Sequence, residues 1–187
     1  PGIGFVVLGP RAQKLAKRPG PVGYYFDLSR YEAGKETGDP PFTPAIDTIQ
    51  MVHEALTRTK EIGWNEMLER HGRAAGAFTA AARLLGLEPF PQNPSSAVQA
   101  FMLPDNCSGY NILELLAERY GIIAAGGQGS LESRIVRTGF LGLHSWSVLG
   151  RAVRAFAGVL QGLGCPVDLP AAERVLEPVM DLEEIFN

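Results

Sequence analysis

Little in this sequence belongs to a metal centre, a membrane or a nucleic-acid surface. Its 187 residues hold only two cysteines, Cys107 and Cys165, which lie too far apart in the chain to make a metal-ligand motif. Three scattered histidines, His53, His71 and His144, give a zinc site little support, so no metal is expected. The formal net charge of −3 makes no case for a nucleic-acid or membrane-surface partner. No apolar run approaches a bilayer span, and the first residues lack the basic-then-apolar pattern of a signal peptide. The cysteines read as reduced thiols of a cytoplasmic protein, with a disulfide left open. There is no Ser-His-Asp arrangement and no carboxylate pair suited to acid–base work.

What is present is ordinary globular material, 45% hydrophobic and 20% charged, enough for one domain or one and a half. The chain opens on Pro1 and passes at once into Gly2–Leu8, an apolar stretch that reads as a buried strand. Such a strand needs sheet partners from elsewhere, so the chain is expected to be a piece of a longer one. A short cationic helix over Arg11–Arg18 should follow, broken by Pro19-Gly20-Pro21, with Lys14 and Lys17 on its solvated face. Tyr24–Leu28 reads as a second extended or turn segment and Tyr31–Pro41 as a polar loop. Thr43-Pro44 has the form of a hydroxyl N-cap and a proline at the first helical position. Behind it Ile46, Ile49, Val52, His53 and Leu56 share one helical face. His53 there reads as a core or interface histidine rather than a ligand. After Gly63 a longer helix runs from Trp64 to Leu85, ended by Gly86.

Beyond a proline-rich loop the order becomes strand Ala97–Leu103, helix Asn111–Tyr120, a hairpin, and a helix from Ser145 to Leu163. That β-α-β-β-α order suits a small α+β sandwich. Asp168–Glu177 could add a short helix, and the acidic end from Asp181 to Glu184 reads as a solvated tail. The expected division is 1–62, the end of one lobe; 63–164, a complete small lobe; and 165–187, a tail.

The hairpin, Gly121–Gly142, carries the candidate chemistry. The glycine loop Gly126-Gly127-Gln128-Gly129 lets a backbone or ligand approach closely, although its spacing is neither that of a P-loop nor that of a dinucleotide fingerprint. Arg137 on the return strand offers a planar fork that matches a carboxylate or phosphate. The residues alone leave two readings open: an anion clamp, or a surface hairpin that happens to carry an arginine. Thr43 is likewise either a helix cap or part of a phosphate site at a helix N-terminus.

Five stretches in order, PGIGFVVLG, YYFDLSRY, PFTPAIDTIQMVHEAL, YGIIAAGGQG and RIVRTGFLG, resemble the C-terminal half of class V aminotransferases, above all the alanine–glyoxylate and serine–pyruvate group. The resemblance runs from Pro1 to about Leu163 and leaves the last residues outside. It implies the aspartate-aminotransferase fold (fold type I): here the end of the large α/β domain, an inter-domain helix, and the small α+β domain. It implies pyridoxal 5'-phosphate as cofactor and a homodimer with the site shared across its interface. It further implies transfer of an amino group between a small amino acid (alanine, serine or aspartate) and glyoxylate or pyruvate. Arg137 would grip the substrate carboxylate, Thr43 would hold the cofactor phosphate of the neighbouring subunit, and Gly126–Gly129 would face the site mouth. The family's Schiff-base lysine would fall just upstream of Pro1. None of Lys14, Lys17, Lys35 or Lys60 matches it, so this chain is expected to carry no catalytic residue and to be inactive alone.

One position departs from the pattern. Pro40 stands where relatives carry a tyrosine or threonine that bonds the phosphate, and proline has neither a side-chain donor nor an N–H. A cysteine desulfurase fits poorly, because neither Cys107 nor Cys165 sits in a suitable mobile loop. Two other readings remain: a split or truncated paralogue acting as a binding or assembly module, and a regulatory domain over 87–164 that binds an amino acid.

Overall fold

The computed structural model describes residues 2–16, 23–142 and 146–180. The chain divides into two compact units, Pro1–Gly63 and Trp64–Asn187. The expectations for Pro19-Gly20-Pro21, Lys17, His144 and the acidic end lie outside the described residues.

The first unit holds helices α1 (Pro10–Ala16), α2 (Leu28–Thr37) and α3 (Ile46–Ile62), with a 3-10 turn at Tyr24–Phe26. Two expectations need correction here. Gly2–Leu8 forms no strand, and Phe5, Val6 and Val7 are exposed, Val7 to 95%. A strand is stabilised by its neighbours' hydrogen bonds, and no described segment pairs with this one. Of the two forms open to Tyr24–Leu28, the chain takes the turn, over Tyr24–Phe26. Tyr31–Pro41 is mostly helical, because Asp27 caps α2 by accepting from the Ser29 N–H at 3.0 Å. The Ser29 hydroxyl and N–H, with Arg30 nearby, hold the Asp27 carboxyl below the usual carboxylate range. Phe42 gathers Tyr24, Tyr25 and Tyr31, with ring centroids 4.8–5.6 Å away. The apolar face foreseen on α3 forms, yet none of its residues is buried, and His53 is exposed.

In the second unit, α4 (Trp64–Leu84) buries Met67, Arg70, Ala75, Phe78, Ala81 and Ala82 along one face. At the N-terminal end of the helix Trp64 and Leu68 stay exposed. Gly86, at φ 79°, ends the helix in a Schellman turn. The Leu87 N–H returns to Ala82 O and the Gly86 N–H to Arg83 O. Leu87 is thereby turned into the core, fully buried.

Four strands follow: β1 (Glu88–Pro89), β2 (Val98–Met102), β3 (Ala125–Gly126) and β4 (Ile135–Gly139). They form an antiparallel sheet in the order β1-β2-β4-β3. Helix α5 (Gly109–Tyr120) joins α4 in packing with the sheet, and α6 (Trp146–Gly162) packs on both helices. Gln99 pairs in register with Thr138, and Phe101 with Val136, on the face turned to the helices. Phe78 sits among Phe101, Phe140 and Phe156 with centroids 5.4–5.7 Å apart. Burying a side chain of this kind is worth about 1.5–3 kcal/mol. The buried Gln99 is satisfied by the Thr79 hydroxyl.

Residues 165–180, expected as a tail, pack into this unit. Asp168 caps α7 (Leu169–Arg174) by accepting from the Ala171 N–H at 2.9 Å, and α8 (Glu177–Met180) follows. Cys165, Ala172 and Leu176 are buried in the core, so the segment closes one side of it. The Cys107 and Cys165 sulfurs, distant in sequence, come to 2.7 Å as free thiols. Burial together with the neighbouring Cys165 pushes the Cys107 thiol up to about 12.

Candidate functional site

Arg137 lies at the middle of β4, paired with Ala100 of β2 on one side and Ala125 of β3 on the other. Because side chains alternate along a strand, Arg137 points away from the helix-covered face that holds Val136 and Thr138. Its two cross-strand neighbours are alanines, so nothing bulky stands beside the long side chain. It is half-buried.

The Arg137 Nε–H donates to Gly126 O at 2.8 Å. That bond fixes the guanidinium plane and uses its inner edge. The outer edge, formed by the two terminal nitrogens, is the fork that binds a carboxylate end-on. Among the described residues no aspartate or glutamate forms an ion pair with it. The arrangement is an oriented cation on an open sheet face, suited to a planar anion.

The loop that supplies the carbonyl is tightly folded. A Cβ at Gly127 would meet Leu131 O at 1.9 Å, so only glycine fits beneath this turn. Gly129 opens a 3-10 turn over Gly129–Leu131, and the Arg134 N–H returns to Leu131 O at 3.0 Å. Gln128 is exposed at the tip, while the loop covers Ile135 from the side of the sheet that carries Arg137. The structure therefore joins Arg137 to Gly126, the first residue of the loop.

Thr43 belongs to the other unit. It is not the N-cap of α3, which is a correction: the cap position is Ala45, without a side-chain cap bond, and the helix begins at Ile46. The Ile46 N–H instead closes a short turn onto Pro44 O at 2.9 Å. Thr43 is exposed just ahead of this N-terminus, and its hydroxyl is not spent on the helix.

Sequence reasoning missed two features of the hairpin. The Gly126 carbonyl as the partner of Nε could not be read without the register of β3 on β4. Ser133, at φ 63°, holds a left-handed conformation uncommon for a residue with a side chain, just before β4 begins. Among the described residues, no three His, Cys, Asp or Glu side chains gather as a metal site would require, and no helix is long and apolar enough to cross a membrane.

No family model matches the chain. It is 32% identical over 166 residues to the soluble hydrogenase 42 kDa subunit of Anabaena cylindrica, covering 88% of this chain and 43% of that protein. It is 27% identical over 171 residues to the serine–glyoxylate aminotransferase of Arabidopsis thaliana, covering 89% and 42%. Among solved structures, pyridoxamine–pyruvate aminotransferase from Mesorhizobium loti superposes with a TM-score of 0.83 at 22% identity, covering 93% of this chain and 46% of that one. At that identity the likeness speaks for the fold. The chain spans less than half the length of the curated relatives it matches.

Proposed function

From a chain with the sequence and fold of the class V pyridoxal-phosphate-dependent aminotransferases, we propose that it supplies the carboxylate-gripping lobe of a transaminase. The observation that carries this is Arg137: its Nε is held on Gly126 O, which leaves the terminal nitrogens for a ligand, and it forms no ion pair with a described carboxylate. A bidentate contact there fixes the orientation of an amino acid or 2-oxo acid about its α-carbon, which is a positioning role. The substrates that fit are small: alanine, serine or aspartate as donor, and glyoxylate or pyruvate as acceptor. The glycine loop walls the same face without side chains that would crowd the substrate.

The residues of this chain fit pyridoxal 5'-phosphate in part. Thr43 offers a free hydroxyl ahead of a 17-residue helix whose first N–H groups have no side-chain cap. Together they suit a phosphate, held across the interface of a homodimer in the cytoplasm. Pro40 contributes no donor, so Thr43 carries more of that contact. The cofactor, when bound, supplies the electron sink for the α-carbanion. The proton transfer is assigned to none of the described residues. Pro40 also favours a second reading, a paralogue that keeps the lobe as a binding or assembly module.

The test is visible absorbance after adding pyridoxal phosphate, to this chain and to a form extended upstream in its reading frame. The expected result is a borohydride-reducible band in the extended protein alone. If neither protein develops one, the enzymatic reading is lost and the binding module stands.

A further inference from the structure

Two thiols that the proposed activity does not use meet inside the second unit. The sulfurs of Cys107 and Cys165, 58 positions apart in sequence, lie 2.7 Å from each other as free thiols. The side-chain oxygen of Asn106 stands 3.9 Å from one sulfur and 3.8 Å from the other, so all three groups share one small polar spot in an apolar core. A disulfide bond is about 2.05 Å long, so the sulfurs have less than about 1 Å to close. Among the described residues no three His, Cys, Asp or Glu side chains gather, so the pair lacks the further ligands of a metal site. Nor is the Cys107 thiol an activated nucleophile. Burial first, and then Cys165, push it up, and no cation stands among the groups that set its titration. What two touching thiols can still do is give up two electrons together.

Each cysteine is the buried residue of an exposed turn. Asp105 and Asn106 precede Cys107 at the surface, and Gly164 and Pro166 flank Cys165 there. The Cys107 N–H donates to Pro104 O and the Cys165 N–H to Leu160 O, each at 2.9 Å. Opening a short surface turn costs far less than unfolding a core, and it lets a small oxidant reach a sulfur. We propose that Cys107 and Cys165 form a modification site, at which hydrogen peroxide makes an intramolecular disulfide that ties the start of α5 to the α7–α8 segment. One thiol attacks a peroxide oxygen; the O–O bond breaks, water leaves, and the sulfur becomes a sulfenic acid. The second thiol attacks that sulfur; the S–S bond forms, the S–O bond breaks, and a second water leaves. The cysteines lose two electrons and the peroxide gains them. The segment beyond Cys165 packs on α4 and α6 and buries Ala172 and Leu176. In the reduced protein only packing and hydrogen bonds hold it there. A cross-link over so long a loop restricts the unfolded chain and so favours the folded one.

The test uses this chain with hydrogen peroxide as oxidant. The chain has only two cysteines, so an internal disulfide can only be this one. After treatment at millimolar peroxide, the chain is unfolded and alkylated. Its mass should fall by two hydrogens, it should take up no alkyl group, and digestion should release the Cys107 and Cys165 peptides joined until dithiothreitol parts them. The oxidised chain should melt at a higher urea concentration than the reduced one, and dithiothreitol should abolish the difference. Cys165→Ala should lose both the cross-link and the shift in midpoint. Two thiols still open to alkylation after hours in peroxide would overturn the proposal. Oxygen adducts, or chains joined to one another in place of the internal bond, would overturn it as well. A disulfide that leaves the midpoint unchanged or lower would refute the tie to α7–α8.

Discussion

In the second unit, apolar residues spaced along α4 and α6 meet a sheet and one another, and Phe78, Phe101 and Phe156 are almost wholly buried. In the first unit, α3 carries a comparable apolar face, yet Ile46, Ile49 and Leu56 stay exposed and no residue of its helices is buried. The difference teaches that an amphipathic pattern is enough to make a helix but not to bury it. Burial needs a second layer with a matching face, and only the second unit brings one to its own helices. The candidate chemistry follows the same division. The fork of Arg137 is oriented by strands within its unit, whereas Thr43 stands exposed on a unit without a core.

The largest effect should separate the two units directly. Phe78→Ala should cost about 3–5 kcal/mol of stability, since it removes the ring around which three others pack. Val7→Ser should change it by less than about 0.5 kcal/mol. Urea melts of the chain would check both, and equal losses would break the comparison. Next in size is Arg137→Ala in the upstream-extended protein, expected to lower kcat/KM by about 1.5–3 kcal/mol, the value of a charge-assisted contact. Arg137→Lys should not restore it, because an ammonium cannot hold both Gly126 O and a carboxylate in one plane. Unchanged kinetics would remove Arg137 from the substrate site.

Two glycines sharpen the contrast within the second unit. Gly127→Ala should destabilise by roughly 1–3 kcal/mol, because its Cβ would collide with Leu131 O. Gly76→Ala, in α4 with no neighbour near the added carbon, should stabilise by up to about 1 kcal/mol. Melting curves decide the signs. An effect confined to alkaline pH concerns Cys107, whose folded-state value near 12 lies above the ordinary thiol value of 9.0. Above pH 9 the unfolded chain releases this proton while the folded chain keeps it, so stability should fall between about pH 9 and 12 and be indifferent to this group below that window. Cys107→Ser should flatten the decline. An unaltered slope would show that the thiol does not set it.

Much of the second unit was legible in advance because its signals are local. The period of α4, the stop at Gly86 and the hairpin around Gly126–Gly129 each depend on residues close in sequence. The failures were of another kind. Gly2–Leu8 has the composition of a strand, but pairing is decided by a neighbour and not by the segment. Helix α2 was hidden because its residues show little apolar periodicity, and its start depends on the Asp27 cap. Thr43-Pro44 looked like a helix start, yet the chain makes one more turn before α3 begins at Ile46.

By itself the sequence determined the helices of α3 to α6, the glycine hairpin, and the resemblance that points to an aminotransferase lobe. These follow from periodicity, glycine placement and motif order, all carried along the chain. Only the tertiary structure decided that Arg137 is held by Gly126 O, that Cys107 meets Cys165, and that 165–180 completes a core. Each joins residues separated in the chain, and such meetings are set by strand register and packing, which no single stretch of sequence encodes.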